Sequence, residues 1–171
     1  MEQYWRDNRL NMIHEGTHGI QALDLLGRKV AMDGGAGFKL LATRMGATVE
    51  RAARRTELQA PAMALAAALR ELAAATQSAW ATGVPEEALA NATPYLQAFG
   101  HVVLAWMWLD VALVAEQAAE QAAEQSSGNL KHGKLAAMRY FFDYELPKIG
   151  AWLAVVSSRN ATCRAMHEDW F

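Results

Sequence analysis

With 171 residues, 53% of them hydrophobic and 20% charged, the chain is long enough and apolar enough for one domain with a substantial core, which excludes a disordered tail. Sixteen basic residues against eighteen acidic ones leave a net charge of −2, so bulk electrostatics recruits neither nucleic acid nor an anionic membrane surface. The single cysteine, Cys163, excludes an intrachain disulfide, and "MEQYWRDNRL" lacks the basic and apolar regions of a secretory signal, so a reducing cytoplasm is the expected setting.

Alanine, leucine, methionine, glutamate and glutamine dominate, β-branched runs are scarce and no hairpin signal separates alternating segments, so the chain reads as all-α, an up-down helical bundle of about four or five helices. A first helix is predicted from about Thr17 into the low thirties on the recurrence of Ile20, Leu23, Leu26 and Val30, with Arg28 and Lys29 near its negative pole. "DGGAG" (33–37) stops it; no strand precedes these glycines and no Gly-Lys-Ser/Thr follows, so they form a turn and not a phosphate cradle. A second helix follows over about 38–55, with Leu41, Met45 and Val49 four apart, and a third over about 59–80, with Leu65, Leu69 and Leu72 on one face and Pro61 in its first turn. "ATGVPEE" (81–87) turns into a long helix that opens on Pro85 and is kinked or restarted by Pro94.

The apolar run "VVLAWMWLDVALVA" (102–115) is interrupted by Asp110 and falls short of the roughly 18 to 20 residues of a membrane span, so it reads as a buried helix. Trp106 and Trp108 are expected as core filling and His101 as a hydrogen-bonded core histidine. The tetrad repeat "AEQAAEQAAEQ" stacks Glu116, Glu120 and Glu124, a stripe expected to face water or a basic partner. "SSGNLKHGK" (126–134) is predicted as a connection, and a last helix runs over about 135–158, bent at Pro147. Arg51, Arg54 and Arg55 serve a helix C-terminus or meet acidic surface elsewhere. Cys163 and His167 stand four apart with no third group to make a nucleophile and base of them, and without an export signal the sequons at Asn91 and Asn160 carry no weight.

The stretch with most chemistry in it is "NMIHEGTHGIQALDLLGRK" (11–29), where His14, Glu15 and His18 take the order H-E-x-x-H of a zinc hydrolase. Zinc needs both histidines on a regular helix and a third ligand beyond it. Gly16 and Thr17 are a poor helical pair, Gln21 stands where the extended motif has glycine although Asp24 occupies its third-ligand position, and Asp33 is an imperfectly spaced alternative, so no metal site is assigned.

The surrounding residues carry a different signal. "YWRDNRLNMIHEGTHGIQALDLLGRK" (4–29) resembles the C-terminal catalytic segment of flavin-dependent acyl-CoA dehydrogenases, in which an arginine-containing stretch leads into an aromatic-Glu-Gly-Thr turn followed by Gly-Ile-Gln or a near variant. "DGGAG", "ALANATPYLQAFGHVVLAWMWL" and "KLAAMRYFFDYELPKI" resemble, in composition, the extra helical C-terminal domain of the longer subfamily, which includes dehydrogenases of methylthio-substituted acyl-CoAs. The resemblance divides the chain into residues 1–32, the end of the catalytic domain, and residues 33–171, the helical extension.

The resemblance implies that Glu15 matches the catalytic base, which removes the proton α to the thioester while the β-hydride passes to FAD, leaving a trans-2-enoyl-CoA. A carboxylate suits this role once the acyl chain and flavin desolvate it. Gly16 matches the small residue beside the substrate, and Thr17, His18 and Gly19 match positions along the FAD, where free amides at a helix start suit an anionic group. His14 and His18 depart from the aromatic and the asparagine or serine that the family commonly has there. The resemblance further implies an acyl-CoA substrate, electron-transfer flavoprotein as redox partner and a homo-oligomer. It also implies an N-terminal helical domain and a middle β-domain that these 171 residues do not supply, so the chain alone is expected to be an inactive fragment that binds flavin weakly, with an apolar face exposed near its start. The alternative from another class is an autonomous helical interaction or oligomerisation module in which Glu15 is a relic.

Overall fold

The computed structural model describes residues 2–12, 17–121 and 125–170. Among these the chain is all-α, with no strand. Helix α1 (Glu2–Asn8) passes through a 3₁₀ turn (Arg9–Met12), and α2 (Thr17–Asp24) widens into a π turn (Leu25–Lys29). The remaining helices are α3 (Met32–Ala53), α4 (Gln59–Ala79), α5 (Pro85–Leu89), α6 (Ala92–Gln121), α7 (Gln125–Tyr140) and α8 (Ile149–Ser158).

The glycine turn is where the sequence places it. Asp33, Gly34 and Gly35 take φ of 53°, 64° and 80°, left-handed values that two glycines in three residues make tolerable. Pro94 restarts the chain and does not kink it: the path breaks after α5 and Pro94 falls in the first turn of α6, where its missing N–H costs nothing. Asn91 in that break is buried and donates its amide to the Asn160 carbonyl (2.9 Å), tying the start of α6 to the segment after α8.

Helix α6 is the axis of the bundle and packs against α2, α3, α4, α7 and α8. Val102, Ala105, Leu109 and Ala112 are fully buried along it. The core closes over them with Met45 and Ala52 of α3, Leu65, Leu72 and Ala75 of α4, Leu135 and Met138 of α7 and Leu153 and Val156 of α8. The continuous stretch Ala92–Ala118 is long and apolar enough to cross a membrane, which the shorter run in the sequence did not show. Five surrounding helices and the Asp110–Arg51 ion pair describe instead the central helix of a bundle that is apolar on most of its circumference.

Two polar ties fix the neighbours of α6. The Trp106 indole donates to Thr48 Oγ1 (2.9 Å) on α3; Arg51 donates to the same oxygen (3.3 Å) and pairs with Asp110, an acidic partner for that member of the arginine cluster. Thr48→Val leaves the half-buried indole N–H without an acceptor, and the folded state is expected to lose about 1 to 2 kcal/mol in urea unfolding. At the other tie, the Thr76 hydroxyl donates to the Leu72 carbonyl (2.7 Å), so the buried Tyr95 O–H donates to Thr76 (2.7 Å). Burial pushes the Tyr95 phenol up to about 12, against a smaller opposite effect of Thr76.

A raised acid favours the folded state fully below the ordinary phenol range and ceases to as pH climbs through the folded value. Folding stability is therefore expected to fall by about 2 to 3 kcal/mol between about pH 10 and 12, and Tyr95→Phe should remove that step from the pH–stability profile.

His101 is hydrogen-bonded as expected, Nδ1 to the Gln97 carbonyl at 3.0 Å, but it lies at the edge of the core and not in it. Its ring packs edge-on against Trp152, and Nε2 stands 3.6 Å from Glu145, a carboxyl held low chiefly by its bond to Lys148.

Two expectations are corrected and a third gains detail. The predicted connection 126–134 is helical, within α7: its glycines lower propensity and none of residues 129–134 is buried, but a helix nucleated where Leu135 and Met138 pack on α6 extends back through it by one hydrogen bond per residue. Glu116 is 6% exposed and does not face water, because it lies seven residues beyond Leu109 and so returns to the buried face of α6; the Glu120 side chain and Glu124 lie outside the described residues. The bend at Pro147 is spread over a π turn (Phe141–Glu145) and a 3₁₀ turn (Leu146–Lys148), which accommodate a residue without an N–H.

Candidate functional site

The motif enters the fold at the start of α2. His14, Glu15 and Gly16 lie outside the described residues, so the site is built from Thr17 onward. Ala22 and Leu26, four apart, are fully buried and lay α2 against α6. That phase turns Thr17, His18, Gly19 and Gln21 outward. Beside Gly19 a Cβ would meet nothing within 4 Å, so its neighbourhood in this chain is open.

Asn11, Thr17, His18, Gln21 and Leu96 line a shallow groove of about 350 Å³. Thr17 and His18, consecutive in the chain, both line it. Gln21 is reached through helical periodicity, one turn after Thr17; Leu96 comes from α6 and has no local signal in the sequence. Beyond the groove, Tyr4, Trp5, Leu10, Ile20 and Leu23 are exposed, and α1 buries none of its residues. The apolar face expected near the start of the chain is present.

A hydroxyl, an imidazole, two carboxamides and the first-turn amides of α2 form a donor set suited to the polar edge of a nucleotide cofactor. The set fits one edge of FAD; one flat groove does not enclose it. Among the described residues no three His, Cys, Asp or Glu side chains gather as metal ligands. The remaining candidates behave as structure: Trp106 is a partly buried tie to α3, and His167 packs on Trp170 at 5.4 Å.

An all-α bundle with an acyl-CoA dehydrogenase motif at its entry defines a class, and comparison with known proteins agrees. Residues 41–167, well over half of the chain, match the family described as "Acetyl-CoA dehydrogenase C-terminal like", and the chain belongs to it. It is similar to the 3-methylmercaptopropionyl-CoA dehydrogenase of Ruegeria pomeroyi, 38% identical over 117 residues, covering 67% of this chain and 20% of that protein. It is also similar to the broad-specificity linear acyl-CoA dehydrogenase FadE5 of Mycobacterium tuberculosis, 24% identical over 179 aligned positions, covering all of this chain and 29% of that protein. The chain therefore spans between a fifth and three tenths of the length of these relatives.

Proposed function

We propose that the chain is the C-terminal part of a flavoprotein that oxidises acyl-CoA thioesters to trans-2-enoyl-CoAs, and that residues 1–32 bring its catalytic base while residues 33–171 form the helical extension. The observation that carries this is the alignment of the whole chain, motif included, with an acyl-CoA dehydrogenase. Glu15 takes the proton from the carbon α to the thioester, and the electron pair of that C–H bond forms the new double bond as hydride leaves the β-carbon. FAD, when bound, accepts that hydride. Gly16 leaves room for the thioester beside the base, and Thr17, His18 and Gly19 with the first-turn amides hold one polar edge of the cofactor. Electron-transfer flavoprotein as acceptor and a cytoplasmic setting belong to the same reading. So does assembly with further copies, supported by the exposed apolar stripe Leu104, Met107, Val111 and Val114 on α6.

The test is anaerobic mixing of the full-length flavoprotein with a saturated acyl-CoA. Bleaching of the flavin with one enoyl-CoA formed per flavin is the expected result; an unreduced flavin with every chain length offered would overturn the reading. The isolated 171-residue chain, which holds one edge of the cofactor site, should bind no stoichiometric FAD in dialysis, and tight binding would contradict its status as a fragment.

A further inference from the structure

The π turn that ends α2 changes its backbone pairing. Val30 N–H bonds the Leu25 carbonyl, five residues back (3.0 Å), and Ala31 N–H bonds that of Arg28 (3.2 Å), so neither donates to the Leu26 carbonyl between them. In a regular helix Val30 would fill that acceptor. Here it is filled from another helix: the indole N–H of Trp80, at the C-terminus of α4, donates to Leu26 oxygen at 3.2 Å. Next to it, a Cβ on Gly27 would stand 3.3 Å from Leu89 of α5, so the π turn also lies close under that leucine.

We infer that Trp80 is a positioning residue, which fixes α2 along its axis by capping the carbonyl that the π turn leaves over. The inference rests on the proposed dehydrogenase reading. Thr17 lies nine residues before Leu26, about 14 Å along the helix, and the chain reaches it directly from Glu15 and Gly16. Ala22 and Leu26 press α2 against α6 by an attraction that has no direction of its own; a directed hydrogen bond at one end adds to the packing in setting the register. A helix shifted by a fraction of a turn moves the groove residues relative to a substrate held by the rest of the enzyme, at a cost in turnover and not in affinity. The helical extension thereby acts as the mount of the catalytic segment.

Trp80→Phe keeps a six-membered aromatic ring in the packing and deletes the donor together with the five-membered ring. In the full-length flavoprotein it is expected to lower kcat about tenfold, to change KM and flavin content by less than about twofold, and to speed amide exchange within 19–24 while α6 keeps its protection. An unchanged kcat, or exchange that rises equally in α6 as in a general loosening, would overturn the assignment. Glu15→Gln, assayed alongside, separates the failures. If that variant turns over normally, the dehydrogenase reading falls and takes this inference with it; if it is inactive while Trp80→Phe behaves as wild type in both assays, only the role of Trp80 falls.

Discussion

Replacing Glu15 with glutamine in the full-length flavoprotein is expected to lower turnover about a thousandfold, the usual range for losing a general base. Glutamine keeps the shape and removes the only group in "IHEGTHGIQ" able to accept a proton as a carboxylate does; the imidazoles of His14 and His18 stand on either side in sequence but outside the family's pattern. Flavin content should be unchanged and KM should move little, because the base gains its interaction in the transition state and not in the ground state. Solvent exchange of the substrate α-proton, which does not need hydride transfer to finish, should vanish in parallel. A variant with full turnover would remove Glu15 from the mechanism.

The largest effect on stability is expected at the bundle axis. Leu109 is fully buried in α6, and truncation to alanine leaves a cavity that five packed helices close only in part, for about 3 kcal/mol and a fall in Tm of about 10 °C. Met107, two residues earlier on the same helix, is 55% exposed, and at concentrations where the chain is monomeric Met107→Ala should stay within about 0.5 kcal/mol. The contrast is the test. Equal losses in chemical unfolding of the two variants would mean that α6 does not turn one face to the core and the other outward.

Much of this arrangement is legible from residue spacing. Leu65 and Leu72 of the predicted third helix are buried, as is Met45 of the second, and the glycine turn falls on the residues that composition singles out. What misled was local preference set against packing. Two glycines and a serine pair made 126–134 look like a loop, whereas the helix seated on α6 by Leu135 and Met138 extends back through it. The glutamate repeat suggested a solvated stripe because charge is conspicuous, while the phase of Val102 and Leu109 already puts Glu116 inside.

The candidate site divides the same way. Thr17, His18 and Gly19 are contiguous and carry a motif, so the sequence shows them directly. Leu96 in the groove wall and the Trp80 bond to Leu26 join positions dozens of residues apart, and neither π turn has a composition of its own that would announce it. Local letters therefore mark the candidate motif, and only the packed bundle shows which distant residues lie against the helix that carries it.

The most direct test of the central claim is the mass and flavin content of the native protein captured from its source cells with an antibody raised against these 171 residues. A product several times heavier than 18.7 kDa, carrying FAD that an acyl-CoA bleaches, is the predicted result. A colourless product of 18.7 kDa would contradict it and leave an independent helical module in which Glu15 has no catalytic work.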